Sequence, residues 1–367
     1  MEEDGVTSPD ASEPGITDRR REIDEVLKVF RAAQNAGEGG LESPAPPRQL
    51  HHYTTLDGLV GITSTTSLWA SDVRYLNDAS ELAYASDIIS EIVAERVTAA
   101  GSEILRPVLP ERRGFANVFE YGRRPFVACF CEKDDLLSQW RGYRADKTGY
   151  SLGFDLGGPA QLPPRTHLRK VVYDADEQKR SVVNVVDVWL RTAESLLLDS
   201  SRGLSPEALF PYPAIWALQE SLAEHHLRFK HPTFAEEREW RLIKLVDVRE
   251  ELRFLESGRT EEMLRATRER MLAIGVDMPD VSTAWGEANA EGVEIRFRTS
   301  SMGLVPYVDL PIVHTADVFT GRLPLRQVIQ GPTPNPDLSL ESLRMYLEAH
   351  GYGFHTDVRA SGIPLRQ

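Results

Sequence analysis

The stretch TFAEEREWRLIK, residues 233–244, sets two carboxylates one residue apart, Glu237 and Glu239, ahead of Trp240 and Arg241. On an extended strand the side chains alternate, so Glu237, Glu239 and Arg241 share one face with successive acids about 7 Å apart, and Arg238, Trp240 and Leu242 share the other. Such a charged face looks at water or at a pocket. Two acids beside an arginine fit a site in which one carboxylate is held by a hydrogen-bonded partner while the other handles protons or charge. A solvated sheet face is the bland alternative.

Three other patches carry chemistry-bearing side chains. His52-Tyr53-Thr54 falls where a strand passes into a helix. An imidazole and a hydroxyl there can hold ribose hydroxyls, and the free amides of a helix start favour an anion. The same residues also fit a helix cap and a satisfied strand histidine. In YLNDASEL, Asp78 and Glu81 form a capping-box pattern, and Asn77 just before them suits a turn or a ligand. Trp140-Arg141 in SQWRGY offers an aromatic plane and a guanidinium fork for a base and a phosphate, or equally a core tryptophan and a structural ion pair.

The elements that position these residues are legible in outline. Residues 1–17 are acidic and rich in Pro, Gly and Ser and read as disordered; an amphipathic helix covers 18–36; the Gly- then Pro-rich run 37–49 is a linker; and one domain spans 50–367, with a helical insertion at about 248–290. Strands at 50–53 and 68–71 flank a short helix, a long helix follows YLND, and later strand groups are separated by clusters of helices. That order argues for an α+β fold rather than strict βα alternation. GITSTTS lacks the lysine of a triphosphate-binding loop, and no internal repeat is visible.

Composition narrows the function classes. With 42 basic and 56 acidic residues, a net charge of −14 disfavours non-specific nucleic-acid binding. Arg112, Arg113, Arg123 and Arg124 around three aromatics make either a local basic patch or solvated loop charges. No run of eighteen apolar residues and no basic-then-apolar leader occurs, so the expectation is a cytoplasmic protein without a membrane span. The two cysteines, Cys129 and Cys131, lie on one strand face, too close along the chain for a disulfide, and read as reduced packing residues; no further Cys or His pair at ligand spacing supports a metal.

Taken in order, HHYTTLDGLVGI, LWASDVRYLNDASEL, FVACFCEKDDLLSQWRGY, GYSLGFDL, VVYD, EREWRLIK and the closing VIQGP and GIPLR resemble the bacterial domain-of-unknown-function 2971 family over about residues 50–366. More distantly, the His-x-Thr opening, the Asn before a second helix and the late Glu-bearing strand resemble DarT-like ADP-ribosyltransferases. That resemblance implies a split, mixed or antiparallel β-sheet with flanking helices that binds NAD in a cleft. It further implies transfer of ADP-ribose to a macromolecule in a defence or toxin role, with Glu239 stabilising the charged ribose and Glu237 orienting the acceptor or taking its proton. His52 and Thr54 would hold the adenosine side, Tyr53, Asn77 and Trp140 would also bind the cofactor, and Arg141 or Arg241 would meet the pyrophosphate. A non-catalytic nucleotide-sensing module on the same fold is the alternative, and a Mg²⁺-dependent hydrolase a third.

Overall fold

The computed structural model describes residues 16–36, 41–76, 80–101, 123–143, 148–157, 160–199, 212–247, 293–300, 303–315 and 321–364. Asn77, Asp78, Arg112, Arg113, the proposed insertion at 248–290 and nearly all of the proposed disordered start lie outside them.

The chain opens with helix α1 (Ile16–Ala36), then β1 (Gln49–Thr54), α2 (Leu56–Thr65) and β2 (Leu68–Asp72), followed by α3 (Ser80–Ala100) and β3 (Arg123–Cys131). Next come α4 (Leu137–Tyr143), β4 (Tyr150–Asp155), β5 (Ala160–Gln161), β6 (Thr166–Lys170), α5 (Ala175–Leu198) and α6 (Tyr212–Arg228). The remaining elements are β7 (Glu239–Asp247), β8 (Ile295–Ser300), β9 (Gly303–Leu310), β10 (Val313–His314), β11 (Leu325–Gln330), α7 (Pro336–Ala349) and β12 (Asp357–Ala360). Local chemistry sets several boundaries. Thr55 caps α2 by accepting from the Gly58 amide, and Asp174 caps α5 by accepting from Glu177.

One large sheet organises the fold, with strand order β12-β11-β4-β1-β3-β2-β9-β8 and β7 joining β3 to β6. Among the described residues only the β11–β12 strand pair is parallel, so the sheet is mixed but mainly antiparallel and the fold is α+β. The sheet forks at β3. Along one edge β3 pairs with β7 over its whole length, from Arg123↔Asp247 to Cys131↔Glu239. Its other edge is shared: β1 bridges it only at His51↔Cys131, whereas β2 pairs further back at Ser71↔Val127 and Asp72↔Phe126. The arms carrying β4 and β9 therefore diverge from one strand.

The two faces of this sheet differ in what covers them. On one, Phe126, Ala128, Phe130, Trp240 and Leu242 pack with Leu59 and Ile62 of α2 and Leu343 and Leu347 of α7. The other is overlaid near β3 and β7 by a layer of α1, α3, α5 and α6, whose own core holds Phe30, Ile89, Trp189 and Leu218. Val127 and Ile243 meet Val73 and Leu227 between sheet and helices. From Leu41 on, the run read as a linker is docked: Arg228, fully buried, donates to the carbonyls of Leu41 and Glu42, and the Lys170 amide donates to Ser43. Its end, Gln49, already belongs to β1, and Ile16 and Thr17 belong to α1 rather than to an unstructured start.

Candidate functional site

Where the helical layer meets the start of β7, three separate segments deliver charge to one point. Glu81 comes from the first turn of α3, Lys230 from just beyond α6, and Glu237, Glu239 and Arg241 from the approach to β7. The Lys230 ammonium lies 2.9 Å from Glu81, 2.6 Å from Glu237 and 2.9 Å from Glu239. Arg241 donates through Nε to Glu239 at 2.7 Å, through Nη1 to the Leu227 carbonyl at 2.8 Å, and through Nη2 to Glu81. The Tyr173 hydroxyl accepts from the Glu239 amide at 3.1 Å, and Cys131 donates to the Glu237 carbonyl.

Lys230, Glu239 and Arg241 are buried and Glu81 and Glu237 half-buried, so of the two expected surroundings, water or a pocket, the charged face does not take open water. Glu239 and Arg241 are 5% and 1% exposed. Glu237 does not continue the strand: residues 232–237 form a 3₁₀ turn closed by Arg238 in the left-handed region at φ 45°, and the turn rather than strand alternation brings Glu237 back beside Glu239. Three carboxylates against two cations leave an excess of one negative charge in a low-dielectric setting, where each unpaired group is costly.

The electrostatics separate the two glutamates. Burial pushes the Glu239 carboxyl up, but the Arg241 guanidinium and the Lys230 ammonium overcome it and hold the group well below the ordinary range. Burial raises Glu237 above the ordinary carboxylate value despite Lys230, with Glu239 and Glu81 adding to the rise. Desolvation works against the Lys230 charge, but the three carboxylates prevail and keep it protonated. Glu239 is thus a fixed anion. Glu237, with the most exposed side chain of the three acids at 16%, is the carboxyl suited to exchanging a proton.

The other residues singled out by sequence distribute differently. His52 pairs across to Leu152 and its ring lies 5.7 Å from Phe130, so it sits on the α2 side of the sheet, as does Thr54 opposite Tyr150. The sheet itself stands between His52 and Glu239. The reason is register: His51, not His52, faces Cys131, which in turn faces Glu239. His51 and Tyr53 therefore share the acid face, with His51 two strands, or about 10 Å, from Glu239. His52 Nδ1 meets the Cys129 carbonyl at 2.8 Å, Thr54 is buried, and the capping hydroxyl is that of Thr55.

Tyr53 and Trp140 form a small core with Cys131 and Ile329, their rings 4.9 Å apart. Trp140 is 2% exposed and donates to Asp135 at 2.6 Å, so it does not present a free aromatic plane; Arg141 beside it is exposed. Arg241 is engaged on all three nitrogens, which removes it as a pyrophosphate ligand. Arg124, read as part of a loop or basic patch, is buried in β3. Both cysteines are free, as expected, though Cys131 also donates to the site's turn.

Sequence reasoning missed Lys230 and gave Glu81 a different task. Glu81 fits a capping box on paper, yet its carboxylate binds Lys230 and Arg241. The signal for Lys230 was a lone ammonium-bearing residue between the apolar end of a helix and the acid pair, LRFKHPTFAEE. Among the described residues no group of three or more His, Cys, Asp or Glu is arranged to hold a metal, and the point on which the three acids converge is filled by an ammonium. Among the described residues, too, no helix is long and apolar enough to cross a membrane.

Buried neutral histidines make the fold acid-sensitive. Burial lowers His51 to about 4 and, with the neighbouring His226, lowers His225 to about 3. Both bind protons in the unfolded chain below about pH 6.5 but not in the native one, so the stability they contribute is present above 6.5 and is lost as pH falls towards 4. Urea midpoints measured from pH 7 to 4.5 should decline steadily, and His225→Phe should flatten the slope. An unchanged slope in that variant would assign the effect elsewhere.

Compared with known proteins, residues 139–242 match a family model described as "Protein of unknown function (DUF2971)". That segment contains Trp140, Arg141, Lys230, Glu237, Glu239 and Arg241. No curated protein and no solved structure matches the chain.

Proposed function

We propose that the chain takes NAD at the Lys230 cluster and transfers its ADP-ribosyl group to a macromolecular acceptor. The observation that supports this most is the pair Glu237 and Glu239 held on one ammonium, 2.6 and 2.9 Å from Lys230, with Glu237 keeping access to solvent. Breaking the bond between nicotinamide and the ribose leaves the electron pair on nicotinamide and positive charge on the sugar carbon. The cluster's excess negative charge, present while Glu237 is ionised, stabilises that charge more than it stabilises NAD. The acceptor nucleophile then bonds to the same carbon and gives up its proton, for which Glu237 is the available base.

Glu237 keeps the proton-taking role that the resemblance implies, and the other roles differ from it. Glu237 meets the reacting groups and Glu239 fixes Lys230. His51, on the acid face, takes the place given to His52, and exposed Arg141 is left as the candidate for the pyrophosphate. With labelled NAD and cell lysate, nicotinamide release is expected, and Glu237→Gln should reduce it by about 10²–10⁴-fold. No release from the wild-type chain would overturn the proposal. The complete pairing of Glu239 favours a second reading, a nucleotide-binding module without chemistry. Thermal stabilisation by NAD or ADP-ribose without product would support that reading instead.

A further inference from the structure

Between the start of β6 and the β8–β9 pair, against Lys244 of β7, lies a cavity of about 600 Å³ that the Lys230 cluster does not use. One wall is the loop Pro163-Pro164-Arg165 with Lys244 of β7; the other is Glu294, Arg296 and Asp309 of β8, β9 and the turn into β8. Alternation puts Lys244 with Trp240 and Leu242, away from Glu239. The size is that of a small-molecule pocket, and its apolar surface comes from prolines, Val293 and Leu310.

Three features point to a ligand. Lys244 is 4% exposed, and its ammonium donates to the Pro164 carbonyl at 2.7 Å, which fixes the loop and sets a buried positive charge under it. Arg165, next along, has φ 52°, a left-handed backbone that glycine takes without strain and a long side chain does not. A large cation is thus held on the cavity rim against local preference. Opposite, Asp309 pairs through Oδ2 with Arg296 at 3.0 Å, while its buried Oδ1 has no hydrogen-bond partner. Burial also raises the Asp309 carboxyl, with Arg296 opposing.

We infer that this cavity is a second ligand site for a small carboxylic acid with an apolar body and a hydroxyl or amine at its other end. The acid group meets the Arg165 and Lys244 wall, the ring or branched body lies against the prolines, and the donor satisfies Asp309 Oδ1. Glu294 and Asp309 hold Arg296 between them at 2.9 and 3.0 Å, so that wall keeps one net negative charge against the two cations opposite, and this difference sets the orientation.

The full chain would be titrated with benzoate, 4-hydroxybenzoate and benzyl alcohol, followed by thermal shift and ligand-observed NMR. Both acids should bind saturably, 4-hydroxybenzoate more tightly, and the neutral alcohol should not. Arg165→Gly should keep or raise the basal melting temperature, because glycine relieves the backbone, yet weaken both acids at least ten-fold. Asp309→Ala, which removes the acceptor, should remove the preference for the hydroxylated acid. Absence of acid binding, equal binding of benzyl alcohol, or unchanged binding by Arg165→Gly would each overturn the inference. NAD turnover does not enter these readouts, so the two sites stand or fall separately.

Discussion

Lys230→Met is expected to lose about 3–5 kcal/mol of unfolding free energy at pH 7, the range for breaking a buried charge pair by removing one partner. Methionine fills much the same volume, so the loss reports charge rather than a hole. In the wild-type chain the ammonium lies within 3 Å of Glu81, Glu237 and Glu239, and its side chain is 8% exposed. Without it, Arg241 is left with Glu81 and Glu239, and Glu237 loses its ammonium. The orphaned carboxyls would then titrate above their unfolded values, and the deficit against wild type should shrink as pH falls from 7 to 4.5. Urea unfolding at the two pH values measures this. A loss below 1 kcal/mol at pH 7, or one that grows on acidification, would mean that the cluster is not held by Lys230.

The site was partly legible because its chemistry is local and its geometry is not. Glu237, Glu239 and Arg241 announce themselves within five residues, and helix, strand and turn signals place most elements near their observed ends. What the chain could not disclose is which strand lies beside which and in what register. Moving the bridge at Cys131 from His51 to His52 would put His52 on the acid face; the observed pairing puts it on the other. Adjacent histidines are equivalent to any reading without that pairing. The convergence of Glu81 and Lys230 is likewise tertiary, since α3 and α6 must dock before the two meet. Period-two reasoning misjudged Glu237 because a 3₁₀ turn with Arg238 in the left-handed region, and no glycine to signal it, precedes β7.

The same limit applies to α1, whose apolar stripe suits either the body or a partner on sequence grounds, and here the structure makes a large effect testable. Phe30 is 1% exposed and stacks on Trp189 with ring centroids 6.3 Å apart; Val26 and Leu27 enter the same core with residues of α3, α5 and α6. Phe30→Ala should therefore cost about 3–5 kcal/mol in urea or thermal unfolding, as expected for deleting a buried aromatic ring. The exposed pair Arg31–Glu220, 3.0 Å apart with the arginine side chain 51% exposed, spans the same α1–α6 contact and serves as the contrast. Glu220→Ala should cost no more than about 1 kcal/mol, because solvent screens such pairs. Equal effects from the two substitutions would mean that α1 is held by surface charge. If Phe30→Ala left the midpoint unchanged, α1 would not belong to the cooperative unit that supports the docking of Glu81 on Lys230.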